Sequence, residues 1–352
     1  MSISRPCYVT REEVALALDV AETARSYDRI DRAIESASDD VDGTLRRTFS
    51  PVLDTRYFSW PDVAYRTPWR LWLDESELIR LDSLTAGGVT IPSTDWLLEP
   101  DSAGPPYWAI EVNRSTSSVF QAGTTFQRAI AATGLFGYRN DEDTVGTLAG
   151  TLDDAEGATA SVTWSTPKVG VGSLLRIGTE YVLVTDRSMV NSGQTTGGAL
   201  AKDTSAVSLA VQDGTAFAPD EVLLIDSERV RVTAVAGNTL TLKRSVDGSV
   251  LASHGSGAAI YALLGVTLKR AAQGSTLAEH AISSVIYRHL APPLVRDLAL
   301  AYALNQFLQE GAGYGRTIGT GENQQEASGR GVRSIEADAM VRHGRQQLLG
   351  AI

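Results

Sequence analysis

Apolar and polar positions change rhythm three times along this chain. Near the N-terminus the period is helical. Thr10 and Glu13 stand at capping-box spacing with Val9 and Val14 placed as a hydrophobic staple, which predicts a short helix over 11–18. Tyr27, Ile30, Ile34, Ala37, Val41 and Leu45 then recur three or four residues apart and paint one apolar stripe on a second helix. Asp28, Asp31, Arg32, Glu35, Asp39 and Asp40 fill its remaining surface, and Gly43 weakens its last turn. From 54 to 138 the rhythm shortens to strands: Arg56-Tyr57-Phe58, Arg70-Leu71-Trp72-Leu73, Leu78-Ile79-Arg80-Leu81 and Ala109-Ile110-Glu111-Val112, with Gly87-Gly88 as a hairpin turn. Five of the six tryptophans precede residue 110, where sheet packing is their simplest task.

An acidic, glycine-containing stretch at 140–157 marks a boundary, and a β-rich block follows to Tyr287. Val182-Leu183-Val184, Val222-Leu223-Leu224-Ile225, Val230-Arg231-Val232 and Leu240-Thr241-Leu242 are its clearest strands, and polar, glycine-rich 191–202 reads as a long exposed loop. This block repeats itself. Leu242-Lys243-Arg244, Gly248-Ser249, Leu251-Ala252, His254 and Ile260-Tyr261 return 26 residues later as Leu268-Lys269-Arg270, Gly274-Ser275, Leu277-Ala278, His280 and Ile286-Tyr287. A looser echo carries Ile177, Glu180, Val182, Val184 and Thr185 forward by 48 residues to Ile225, Glu228, Val230, Val232 and Thr233. Short-period self-similarity implies stacked supersecondary units, each too small to bury its own apolar face.

Helical rhythm returns after Pro292-Pro293. Leu294, Val295, Leu298, Leu300, Tyr302, Leu304, Phe307 and Leu308 are apolar almost all round, so this helix must be covered on most sides until Gly311 stops it. The glycine-rich 311–331 segment lacks apolar periodicity and reads as mobile in the free chain. Ser334 reads as the N-cap of a last helix that runs towards Leu349, with Glu336 and Asp338 at its start and Arg342 and Arg345 near its end. Helical ends around a β-rich middle suggest that the ends pack together with the repeat block inserted between them.

Composition narrows the function. A net charge of −11 disfavours sequence-reading contact with nucleic acid. The single cysteine, Cys7, cannot form an intrachain disulfide, which fits a reducing compartment. There is no secretory pattern at the start and no apolar run long enough to span a bilayer, so the reading is a soluble chain of cytosolic origin. Catalytic constellations are not evident. His254, His280, His289 and His343 are too scattered for a metal site, and the first two hold equivalent repeat positions, as a repeated structural hydrogen bond would. Gly311-Ala312-Gly313-Tyr314-Gly315 follows a helix where a dinucleotide fold needs a strand. The acid pairs Asp153-Asp154 and Asp39-Asp40 read as solvated rather than glycosidic. No enzyme, cofactor or metal is expected. The C-terminal 330–352 stretch is the electrostatic exception: Arg330, Arg333, Arg342 and Arg345 outnumber Glu336 and Asp338.

The order of features resembles tailed-phage head–tail connector (adaptor) proteins. The similarity rests on Tyr8-Val9-Thr10-Arg11-Glu12-Glu13-Val14, on the 30–49 helix ending Leu45-Arg46-Arg47-Thr48-Phe49, on Thr55-Arg56-Tyr57-Phe58 and the strands to Thr133-Gly134-Leu135-Phe136-Gly137-Tyr138, and on the helix after Pro292-Pro293. Leu224-Ile225-Asp226-Ser227-Glu228 with Leu242-Lys243-Arg244 resembles a β module recurrent in phage structural proteins. The resemblance implies a virion neck protein assembled in the host cytoplasm. It would form a twelvefold ring beneath the portal, pass genomic DNA through its lumen and meet a stopper or tail-terminator protein on its other face, with no membrane contact. It also implies an α+β fold in three parts: helices and β region over 1–146, an inserted β-repeat domain over 147–287, and helices with a portal-binding tail over 288–352. In that scheme Tyr27, Ile30, Ile34, Leu298, Tyr302 and Phe307 form a helical ring-forming core. Asp28, Asp31, Arg32, Glu35 and Asp39 close the ring between subunits, and Arg330, Arg333, Arg342, Arg345, Leu348, Leu349 and Ile352 reach the portal. Two other classes are a carbohydrate-binding or adhesive β-repeat protein of the tail or cell surface, and a glycan-cleaving enzyme.

Overall fold

The structure, a computed structural model, describes residues 3–18, 24–60, 68–153, 155, 158–163, 169–311, 317–318, 325–326 and 329–345. Strands take 38% of the chain and helices 20%, so an α+β fold around a helical ring-forming core is not what it adopts. The physical reason lies in the middle of the sequence, where alternating Val, Leu and Ile between turn residues build large antiparallel sheets.

The chain divides into two compact units. They cut it differently from boundaries at 146 and 287: one unit takes 1–44, 142–272 and 276–343, and the other takes 45–141, 273–275 and 344–352. The first unit begins with α1 (Arg11–Leu18) and α2 (Ala24–Leu45). The capping box forms as expected, with the Glu13 N–H donating to Thr10 Oγ1 at 3.2 Å and the Thr10 N–H to Glu13 Oε2 at 2.9 Å.

The second unit holds β1 (Val52–Phe58), β2 (Arg70–Trp72), β3 (Leu78–Ala86), β4 (Val89–Ile91), β5 (Trp96–Glu99), β6 (Ala109–Val112) and β7 (Ile130–Phe136). Two antiparallel sheets, ordered β1-β7-β3-β4 and β2-β6-β5, share one core that includes Leu71, Leu84, Ile110, Ile130, Phe136 and Trp60.

Ten further strands build the sheet of the first unit: β8 (Glu142–Thr147), β9 (Thr159–Ser161), β10 (Leu174–Ile177), β11 (Glu180–Thr195), β12 (Ser208–Ala210), β13 (Val222–Ile225), β14 (Glu228–Ala236), β15 (Thr239–Lys243), β16 (Ala259–Ala272) and β17 (Val285–His289). They are not stacked repeats. They form two copies of one six-stranded barrel, the second inserted into the first.

The pairings establish this nesting. In the inner copy β14 and β15 pair Arg231 with Lys243, Val232 with Leu242, Ala234 with Thr241, Val235 with Leu240 and Ala236 with Thr239. In the outer copy β11 and β16 pair Leu183 with Lys269, Val184 with Leu268, Asp186 with Thr267, Arg187 with Val266 and Ser188 with Gly265. Every rung matches, including the register shift after Val232 and after Val184. Front-half residues of the inner copy lie 48 positions after their counterparts, and back-half residues lie 26 before theirs, as in Glu228 against Glu180 and Arg244 against Arg270. Offsets of opposite sense are what an insertion produces. Where the inner copy turns tightly at Gly237 and Asn238, β11 and β16 continue as a ribbon and become the first and last strands of the inner barrel. The 191–202 segment, expected to be a loop, is therefore strand as far as Thr195.

The inner barrel runs β12-β15-β14-β13-β16-β11 and the outer one β9-β16-β11-β10-β17-β8. The Gly197 N–H closes the inner barrel on Ala210 O at 2.7 Å, and the Leu148–Val162 bridge closes the outer. Their cores correspond too: Leu223, Ile225, Val230, Val232, Leu242 and Ile260 inside one, Leu175, Ile177, Val182, Val184, Leu268 and Ile286 inside the other, all at most 2% exposed.

Two helices complete this unit, α3 (Pro293–Gly311) and α4 (Gly329–His343), which pack together. The last helix thus begins before Ser334, which lies inside it. The N- and C-terminal helices do meet: Arg29 stacks on Phe307 with its guanidinium carbon 4.3 Å from the ring centre, and Arg32 pairs with Glu310 at 2.8 Å. Ile30, Ile34 and Leu298 are fully buried and Phe307 nearly so, whereas Tyr27 and Tyr302 are half-buried. On α3, Val295, Leu298, Ala299 and Ala303 are buried, and Leu294, Leu300, Leu304 and Leu308 are only partly covered. No helix among the described residues is long and apolar enough to cross a membrane.

Candidate functional sites: paired charge clusters and the C-terminal helix

A buried cluster of ionisable side chains lies in each of the two barrels. In the inner barrel the turn between β13 and β14 delivers Glu228, which is fully buried. Arg244, just past β15, grips it in a fork, with Nε donating to Oε1 at 2.7 Å and Nη2 to Oε2 at 2.8 Å. The backbone N–H groups of Ser245 and Ala252 donate to the same two oxygens, both at 2.9 Å. His254 Nε2 lies 3.0 Å from Glu228 Oε2, and its Nδ1 lies 2.7 Å from Asp226 Oδ2. Arg244 spends its other protons on the carbonyls of Ala201, Ala206 and Ala252.

The outer barrel repeats the arrangement. Arg270 Nε donates to Glu180 Oε1 at 2.9 Å and Nη2 to Oε2 at 2.7 Å. The N–H groups of Ala271 and Ala278 donate to that carboxylate, and His280 Nε2 lies 2.8 Å from Oε2. Arg270 also donates to the carbonyls of Asp153 and Ala278. Each cluster ties the hairpin bearing its Glu to the segment bearing its His, and the His residue forms a β-bridge of its own, His254 with Leu200 and His280 with Leu152.

Burial pushes the Glu228 pKa up, but Arg244, the Ala252 N–H, His254 and the Ser245 N–H outweigh it and bring it down to about 2. Burial pushes the Glu180 pKa up too, and the matching partners, Arg270 foremost, outweigh it and leave it lowered as well. These carboxylates stay ionised and accept hydrogen bonds only, which suits a buried clamp and not a proton-transfer group. The repeated hydrogen bond expected at His254 and His280 is present. The Glu and Arg partners were visible only as matching letters in the repeats. Their joint role required the fold, because Arg270 lies 90 residues from Glu180.

The charged face of α2 is largely used within the chain. Asp31 is 2% exposed and accepts from Arg11 Nε at 2.8 Å and Nη2 at 2.7 Å, so it cannot serve a subunit contact. Glu35 accepts from the Ser4 N–H at 2.6 Å and hydroxyl at 2.8 Å, Asp39 pairs with Arg5, and Arg32 pairs with Glu310. Asp28 is exposed. Burial pushes the Cys7 thiol up to about 12, so it stays protonated and poorly nucleophilic.

The C-terminal helix behaves differently. On α4, Arg333 and Arg342 are exposed, and between them Met340 is 44% and Val341 85% exposed, while Ala339 on the opposite side is fully buried. Arg330 lies in the first turn of α4, and the Arg345 N–H donates to Leu45 O at 3.0 Å. Leu348, Leu349 and Ile352 lie outside the described residues, as does Trp164. A cavity of about 100 Å³ in the second unit gathers Arg46, Arg47 and Arg56, but Glu75 and Glu77 line it too and Arg47 is paired with Glu77 at 2.8 Å. Comparison with known protein families, characterised proteins and solved structures yields no match.

Proposed function

We propose that this chain is a structural subunit of a tailed-phage neck. It assembles into a ring, joins the portal vertex of the head to the tail, and lets the genome pass without sequence-specific contact. The observation that carries this reading is the outer face of α4, where Met340 and Val341 lie open between Arg333 and Arg342. Exposed apolar side chains with Arg333, Arg342 and the exposed Asp338 around them offer a partner a mixed apolar and charged docking surface. The incompletely covered Leu300, Leu304 and Leu308, at four-residue steps on α3, support assembly as well. The buried Glu228–Arg244 and Glu180–Arg270 pairs are committed to clamps that hold the scaffold. A net charge of −11 suits a wall past which DNA slides.

Mass photometry of the purified chain, alone and with the portal protein of the same virion, tests the proposal. A ring, or a monomer that joins the portal in a fixed multiple, is the expected result. A monomer indifferent to the portal would overturn it.

A further inference from the structure

The two charge clusters differ at one position, and the difference has a chemical consequence. The turn residue Asp226 of the inner barrel corresponds to Gly178 of the outer, both with positive φ, 52° and 59°. His254 therefore stands between two carboxylates, Asp226 on Nδ1 and Glu228 on Nε2, whereas His280 meets only Glu180. An ionised carboxylate can only accept, so a ring bonded to one at each nitrogen must donate from both. We propose that His254 is held as an imidazolium and that it latches the inner barrel in a pH-sensitive way, while His280 closes the outer barrel with a single ring proton.

Charge balance favours this assignment. The groups facing His254 are Asp226 and Glu228 from the β13–β14 turn and Arg244 from the end of β15, with exposed Asp203 felt by Arg244 from the solvent side. Two carboxylates facing Arg244 and an imidazolium are neutral together. In the outer barrel Glu180 and Arg270 already balance, and a second ring proton would have no acceptor at Gly178. Loss of the His254 proton as pH rises leaves two anions against one cation in a buried seam, with one ring nitrogen facing a carboxylate as acceptor against acceptor. The seam it closes is the Leu200–His254 bridge, with both N–H···O bonds at 2.9 Å. Asp226, with its side chain 58% exposed, gives the proton a route to water. Raising pH should thus loosen the inner barrel at this seam and leave the outer barrel as it is.

The outer barrel is a control within the same molecule. Nitrogen-15 NMR of the imidazoles in the full-length chain near neutral pH should show two protonated nitrogens for His254 and one for His280. Hydrogen exchange should show the Leu200 amide losing protection relative to the Leu152 amide on the order of tenfold between about pH 6 and about pH 9, after correction for intrinsic rates. Asp226→Ala should convert His254 to the pattern of His280 and abolish the pH dependence of that ratio. Gly178→Asp, whose Cβ would lie 3.8 to 3.9 Å from His280 Cε1 and Nδ1, should convert His280 to the pattern of His254. A non-protonated nitrogen on His254 in the wild-type spectrum, or a Leu200-to-Leu152 ratio that does not change with pH, would overturn the proposal. The spectrum needs no variant to fold.

Discussion

At the scale of single residues, the clamps make the sharpest demands. Glu228 and Arg244 are buried with side chains at most 1% exposed, and backbone groups and His254 satisfy what the pair leaves over. Glu228→Gln would put an amide N–H₂ where donors from Arg244, Ala252 or Ser245 now point, and would leave the guanidinium buried without its counter-charge. We expect it to cost about 3–5 kcal/mol in urea unfolding, and Glu180→Gln a similar amount. The acid side follows from the Glu228 pKa. Its folded value of about 2 lies below the ordinary 4.5, so the stability it contributes is complete above 4.5 and is lost as pH falls from there towards 2. Glu228→Gln should remove that part of the acid slope in urea midpoints measured across this window, and an unchanged slope would place the acid sensitivity elsewhere. Glycine supplies a second paired test. Gly274 and Gly248 are barrel counterparts with the same φ of 74°. A Cβ on Gly274 would lie 2.0 Å from Leu53 O, in the turn whose Gln273 carbonyl accepts the Leu53 N–H at 2.8 Å, whereas Gly248 faces open space. Gly248→Ala should therefore cost only backbone strain, about 1–2 kcal/mol, and Gly274→Ala distinctly more, by thermal or urea melts of the two variants.

At the scale of elements, helices were easier to read than strands because their ends carry chemistry. Thr10 and Glu13 announced α1, and the box they form is the one observed. The stripe from Ile30 to Leu45 placed α2 correctly, yet the charges around it gave no sign of their partners. Asp31 is buried by Arg11, 20 residues away, and α2 charges that pattern alone assigns to a surface are tied to Ser4, Arg5 and Glu310. Periodicity reports which face is apolar and is silent on what caps the polar one. Ser334 misled for a related reason: a good N-cap residue is also tolerated inside a helix, and α4 begins at Gly329. Val341 is 85% exposed, so Val341→Asp should change the free energy of urea unfolding by less than about 0.5 kcal/mol. If α4 is the docking face, the same change should abolish co-assembly with the portal in mass photometry. Unaltered co-assembly would remove α4 from the contact.

At the scale of the whole molecule, the repeats were fully legible as letters and misleading as architecture. Two offsets, 48 and 26, suggest a tandem array when each is taken alone. Only their opposite sense, front halves shifted forward and back halves shifted backward, encodes an insertion. The rungs of β11 with β16 and β14 with β15 then confirm it pair by pair. Nesting also explains the strand length. At 16 and 14 residues, β11 and β16 are each long enough to serve the outer barrel at one end and the inner at the other. Each barrel has its own buried core and its own Glu–Arg–His clamp, so neither depends on the other for its interior. A deletion follows directly from this. Removing residues 189–264 and joining Ser188 to Gly265 through the Gly237–Asn238 turn of the inner copy should restore a tight hairpin in the register already present. The shortened chain should stay folded, with the Leu152 and His280 amides still protected in hydrogen exchange, and a fragment of residues 190–263 should fold alone around Leu223, Ile225 and Val232. If the shortened chain lost protection at Leu152, the outer barrel would need its passenger, and the insertion would have become structural rather than accessory. If it kept both fold and portal binding, the inner barrel would be free to act as a separate module, with its own latch at His254.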